Sequence, residues 1–213
     1  MAEKNDSYPA RLDIDYPKKL DRASTFFRLI LSVPILVIAG ILTSYGGSGF
    51  SYEAGEAASQ TGGGIAGALL VATLLMILFR QRYPRWWFDF NLELNRFTTR
   101  VGAYVFLLTD KYPSTEDEQS VHLHLEYPDV KNELNRWLPL VKWFLAIPHY
   151  IILTLLVFGA VLATIIAWFS ILFTGSYPRS LFDYVVGVGR WGLRVTAYAF
   201  LLTTDKYPPF SLK

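Results

Sequence analysis

Residues 143–178 read WFLAIPHYIILTLLVFGAVLATIIAWFSILFTGSYP, a run of 36 positions between Lys142 and Arg179 without an Asp, Glu, Lys or Arg. A single helix of that length would reach about 54 Å, far beyond a hydrocarbon core of about 30 Å. The reading that fits a bilayer is two helices joined by a tight turn near Phe158-Gly159. Two more apolar segments precede this run. One extends from about Phe26 to Tyr45, with Pro34 inside and Arg28 near its start, where the long stem lets the guanidinium snorkel to the interface. The other runs from Gly64 to Phe79, about 24 Å of helix, so its ends must lean on local thinning or on protein. Gly64, Ala68 and Ala72 form a small-residue stripe suited to close helix packing.

Composition agrees with a membrane chain. Charged residues make up 18%, below the roughly 25% of soluble domains, and the mean hydropathy is positive. The net charge of +2 is too small to point to nucleic acid. There is no cysteine, which excludes disulfides, thiolate metal sites and cysteine nucleophiles. Met1 to Lys19 has no apolar core of signal-peptide type, so the first apolar segment is expected to act as its own insertion signal.

Basic residues set the expected orientation. Residues 1–25 carry five Lys/Arg, 80–142 carry nine and 176–213 carry five, whereas Gly46 to Gly63 carries none and holds Glu53 and Glu56. Both termini and the central segment are therefore expected in the cytoplasm, with the Gly/Ser-rich loop 46–63 outside and flexible.

The chain also repeats itself. Tyr83-Pro84-Arg85, Phe88-Asp89, Arg96, Arg100-Val101, Ala103-Tyr104 and Asp110-Lys111-Tyr112-Pro113 recur as Tyr177-Pro178-Arg179, Phe182-Asp183, Arg190, Arg194-Val195, Ala197-Tyr198 and Asp205-Lys206-Tyr207-Pro208. The offset is 94 residues until one inserted Thr204. Tyr16-Pro17, Leu20-x-Arg22 and Pro34 likewise match Tyr127-Pro128, Leu134-x-Arg136 and Pro148. The expected organisation is a polar N-terminus (1–7), a first unit (8–115), a linker (116–118) and a second unit (119–213). Units of the same topology are expected to be related by a pseudo-two-fold axis along the membrane normal. The Tyr-Pro entry and the closing Arg194-to-Phe210 stretch resemble the uncharacterised bacterial membrane family called domain of unknown function 4389, here in two tandem copies. The resemblance implies no activity and no catalytic residue.

Seven of the eleven prolines follow a tyrosine. The residue before proline leaves the helical region, proline suits the first turn of the next helix, and tyrosine suits the headgroup layer. The pattern therefore predicts apolar helix, corner, surface helix. After two of these corners, Asp89, Glu93, Arg96 and Arg100, and then Asp183, Arg190 and Arg194, fall on one helical face, with Gly187 where Glu93 stood. Tyr83, Trp86, Trp87, Tyr177 and Trp191 are the expected interfacial anchors. The arginine pairs Arg96/Arg100 and Arg190/Arg194 are either a solvated, internally paired stripe or ligands for lipid phosphate or an acidic partner. Residues 181–202 are apolar enough in length for a fifth span, but three charges and three glycines oppose it.

Alternation predicts short strands at Arg11–Asp15 and His122–Glu126, pairing antiparallel across the axis with outer edges open to a partner strand. His122 and His124 share a face, and a metal there would need a third ligand such as Asp13 or Asp15. His149 is an ionisable group inside an apolar segment. No phosphate loop, nucleophile elbow or zinc-protease motif is present. These readings together predict an all-α integral membrane protein of four transmembrane helices in two tandem hairpins, each followed by an interfacial amphipathic helix, in the bacterial inner membrane. The expected function is a non-enzymatic subunit or adaptor that binds anionic lipid headgroups, another membrane protein or itself, with no cofactor and no nucleic acid. The alternatives are a small transporter or channel with a site on the axis, and a lipid-modifying enzyme using His149 or the arginine pairs.

Overall fold

A computed structural model describes residues 8–43, 65–115, 117 and 119–213. The external loop expected at 46–63, the polar residues 1–7 and most of the linker lie outside the described residues.

Two strands form where alternation predicts them. In β1 (Ala10–Ile14) and β2 (Val121–Leu125), every second side chain is buried. They pair antiparallel, centred on Leu12 opposite Leu123. The ladder extends one step at each end, from Asp15 N–H to the Ser120 carbonyl (2.9 Å) and from Glu126 N–H to the Pro9 carbonyl (3.0 Å). Paired and unpaired residues alternate in such a ladder, so Leu12 and Leu123 turn their own amides and carbonyls to the outer edges.

The helices are α1 (Arg22–Thr43), α2 (Ile65–Leu75) with a π-turn at Met76–Arg80, α3 (Arg85–Val105), α4 (Pro139–Leu145), α5 (Ile147–Thr174) and α6 (Arg179–Ala199). As the Tyr-Pro reading predicts, α3 and α6 each begin directly after such a corner. Packing arranges the elements in three layers. The strand pair covers α3 and α6, β1 lying on α6 and β2 on α3; beneath them α1 packs on α3, and α4 and α5 pack on α6.

Four spans are not supported. Among the described residues, two helices are long and apolar enough to cross a membrane, Arg22–Leu42 and Ile147–Thr174, and a shorter apolar helix runs from Gly67 to Arg80. The turn expected at Phe158-Gly159 does not exist, because both residues lie inside α5. A glycine costs a helix only about 1 kcal/mol relative to alanine, too little to break so long an apolar run. Gly159 serves close packing instead: a Cβ there would lie 2.5 Å from the Tyr184 hydroxyl oxygen of α6. The interruption comes earlier, at Ala146, because Pro148 has no N–H to donate and its ring crowds the carbonyl four residues back.

The outer layer is two-faced. Along α5, Ala160, Ala163, Ala167 and Ile171 are buried, while Ile151, Leu155, Phe158, Leu162, Ile165 and Phe169 form an exposed stripe. Along α1, Thr25, Arg28, Ser32 and Ile35 face inward, and Phe26, Ile30, Val33, Val37 and Ile41 face outward. Helix α6 is the middle of the molecule, with Val185, Val186, Gly187 and Val188 all buried in succession.

Candidate functional site

Two buried cations anchor the outer helices to the chain that follows α3 and α6. Arg28 does not snorkel. It is 2% exposed, pairs with the Asp110 carboxylate, donates to the Thr109 carbonyl at 2.7 Å and stacks over the Tyr104 ring at 4.1 Å. Lys142 repeats the arrangement: it has no exposed surface, pairs with Asp205 Oδ1 at 2.6 Å, donates to the Thr204 carbonyl at 2.7 Å and lies 5.2 Å from the centre of the Tyr198 ring. The second oxygen of each carboxylate is used too. Asp110 Oδ2 accepts from Asp21 N–H (2.7 Å) and Asp205 Oδ2 from Asn135 N–H (2.6 Å). Burial pushes the Lys142 ammonium below its ordinary value, and the hydrogen bond and charge of Asp205 oppose that shift.

These clusters need the chain to turn sharply after each amphipathic helix. It does so at Leu107 (φ 62°) and Leu202 (φ 57°), left-handed positions that are uncommon for leucine. Both side chains are buried, so packing holds a conformation the backbone alone disfavours. Leu107 matches Leu202 and Thr109 matches Thr204, which places the extra residue of the second stretch before Leu202 rather than at Thr204. The sequence signal was available: Arg28 and Lys142 stand at the same distance after Arg22 and Arg136, and each unit closes on a Thr-Asp-Lys-Tyr-Pro stretch.

The four arginines singled out by the sequence are all engaged within the molecule. Arg190 Nε donates to the Leu12 carbonyl at 2.8 Å and its Nη2 pairs with Asp13 at 2.7 Å. Arg96 Nε donates to the Leu123 carbonyl at 3.3 Å and pairs with Glu93 at 2.6 Å. Those two carbonyls are the outward-facing acceptors of the strand pair, so the edges expected to be open are occupied there by arginine. Arg100, 4% exposed, donates to the Ser114 carbonyl. Arg194 donates to the carbonyls of Ser211 and Lys213, and burial first, then the nearby Arg190 charge, lowers its pKa. Asp183 pairs with Arg179 instead of Arg190. The change from Glu93 to Gly187 has a steric reason: a Cβ at Gly187 would lie 2.8 Å from the Leu212 carbonyl oxygen of the docked C-terminal tail.

Of the expected interfacial anchors, Tyr83, Tyr177 and Trp191 are buried within the protein, Trp87 is partly buried and bonded to Thr73, and Trp86 is exposed. The corner tyrosines are clasped across the molecule. Tyr127 donates to the Tyr83 carbonyl and Tyr16 to the Tyr177 carbonyl, while Arg85 covers the Tyr127 ring and Arg179 the Tyr16 ring.

His122 reaches Asp15 at 3.3 Å and His124 stands opposite Arg11. Among the described residues no group of three His, Cys, Asp or Glu is placed to hold a metal. His149 is fully buried; its Nδ1 accepts from Trp191 Nε1 at 3.0 Å and its ring stacks on Phe210. A cavity of about 300 Å³ between β1, α3, α5 and α6 is lined by Ile14, Ala103, Val157 and Val186 among others, and none of the described residues that line it is ionisable. Helix α6 is packed against β1 over the stretch that a fifth span would need.

A family model described as domain of unknown function (DUF4389) matches residues 137–211, one copy that runs from the start of α4 to the C-terminal tail. No curated protein and no solved structure matches the chain.

Proposed function

We propose that the protein is a non-enzymatic membrane-anchored scaffold, built from two copies of the DUF4389 unit, that holds a polar strand-and-helix platform on the cytoplasmic side of a bacterial inner membrane for a partner membrane protein. The observation that supports this is the two-faced layering. Apolar side chains along α1 and α5, Phe26, Ile30, Val33, Ile151, Leu155 and Phe158 among them, are exposed, and the opposite side carries ion-paired strands. Exposed apolar patches of this extent mark interaction with lipid or protein.

In this reading Arg96, Arg100, Arg190 and Arg194 are positioning residues. They fasten strand edges and tail segments to α3 and α6, and anionic headgroups fall to the exposed Lys18, Lys19, Arg80 and Arg82. A transport path on the axis is disfavoured by the apolar cavity between β1, α3, α5 and α6, and an enzyme using His149 by the aromatic rings that enclose it.

Flotation of the purified chain with phosphatidylcholine vesicles, with and without phosphatidylglycerol, tests the anchor. The chain is expected to float with both in high salt, and recovery in the soluble fraction would overturn the reading. The variant with Arg→Gln at all four positions is expected to float equally well while its melting temperature falls. Weaker flotation confined to the phosphatidylglycerol vesicles, at unchanged melting temperature, would instead make the arginines headgroup ligands.

A further inference from the structure

We infer that the outer helix layer lies in the plane of one leaflet and that α5, despite its length and composition, does not cross the bilayer. This rests on the anchoring reading above and specifies its geometry.

A second helix runs beside α5. Helix α6 lies antiparallel along it: Ala146 packs with Tyr198, His149 bonds to Trp191, and the Tyr184 hydroxyl donates to the Leu156 carbonyl at 2.9 Å, close to the middle of α5. The far side of α6 carries β1, and beside the first turns of α5, next to Trp191, stands Arg190 with Asp13, whose side chains are 33% and 70% exposed. Toward the other end of α5 stands Arg179 with Asp183, 65% and 55% exposed. Were α5 to span, these charges would be carried beside it into the hydrocarbon, where ionised side chains facing lipid are strongly disfavoured.

The ends of the helices agree. At the C-terminal end of α5, Arg22 donates to the Phe173 carbonyl. At the start of α4, Arg136 donates to the Leu78 carbonyl. An arginine therefore stands at each end of the α4–α5 stretch, with Asp21, Asp110 and Arg28 near one and Asn135, Asp205 and Lys142 near the other. Helix α5 alone, with 28 residues, is about 42 Å long, against a core of about 30 Å. Laid flat, it places its whole exposed stripe, Ile151 to Phe169, in the acyl region and leaves the strand layer in water. Trp86, Trp137 and Trp143, all exposed, suit the headgroup boundary. The occupant of this face is thus the acyl layer of a single leaflet, as for an interfacial helix.

The chain has no cysteine, so single labels are clean. Ile151→Cys, Leu162→Cys and Phe173→Cys, each at an exposed position, are labelled with a fluorophore in the full-length chain on phosphatidylcholine vesicles containing lipids spin-labelled at a shallow or a deep carbon. The expected result is one shallow-to-deep quenching ratio shared by all three sites. A profile in which Leu162 is quenched more by the deep label while both ends favour the shallow one would overturn the inference and leave the anchor standing. Failure of the labelled chains to float with the vesicles would overturn both.

Discussion

Lys142 is an ammonium with no exposed surface, and its position is tolerable only because Asp205, the Thr204 carbonyl and the Tyr198 ring close around it. Removing one member of a buried pair strands the other. Asp205→Asn is therefore expected to lower stability in detergent by about 3 kcal/mol, and Lys142→Met/Asp205→Asn by less than the sum of its singles. An additive double-mutant cycle by chemical denaturation would show that the pair is not coupled. The buried phenols set a second dependence. Burial raises the Tyr177 pKa to about 12, and burial raises Tyr83 and Tyr8 as well. A folded state that holds its proton more tightly than the unfolded chain, at 10.0, keeps that contribution in full below pH 10 and loses it as pH rises toward 12. The melting temperature is expected to fall across that window, together with the phenolate absorbance change, and Tyr177→Phe should make the fall shallower.

At the scale of elements, alternation and the Tyr-Pro corners were enough to find the strands to within one residue and the starts of α3 and α6. Single-chain periodicity reads local preference well where the element is short and its faces differ. It misread Gly159 because a glycine at a turn and a glycine under a neighbouring tyrosine look alike in sequence. It misread Arg28 because nothing local reveals that Asp110, 82 residues away, will meet it. The packing explanation of Gly159 makes its own prediction. Gly159→Ala should destabilise despite the better helix propensity of alanine, since the Cβ meets the Tyr184 hydroxyl oxygen at 2.5 Å. Adding Tyr184→Phe removes that oxygen and should return part of the loss, although it also gives up the bond to the Leu156 carbonyl. Thermal melts of the two singles and the double decide this; no rescue in the double would mean that Tyr184 is not what the glycine accommodates.

Across the whole molecule, the contacts that close the fold are exchanged between residues 8–115 and 119–213. β1 pairs with β2, yet β1 packs on α6 and β2 on α3. Arg22 caps α5 while Arg136 caps the end of the π-turn after α2. Tyr16 reaches the Tyr177 carbonyl and Tyr127 the Tyr83 carbonyl. The recurring motifs of the sequence did not reveal this exchange, because hairpin units with their own turns would read the same. The consequence is that neither half holds a complete set of partners: alone, each would leave a strand without its mate, a helix C-terminus without its arginine and one apolar side of α3 or α6 uncovered. Carbonyls at such an end and unpaired strand groups are costly when not satisfied. Residues 1–115 and 119–213 expressed separately in detergent are therefore expected to aggregate or melt without cooperativity, and co-expressed to copurify and regain a single transition. In the co-expressed pair, Arg22→Gln with Arg136→Gln should weaken association, because both bonds cross between the fragments. Two fragments that each melt cooperatively alone would show that the exchanged contacts are dispensable and that each unit closes on itself.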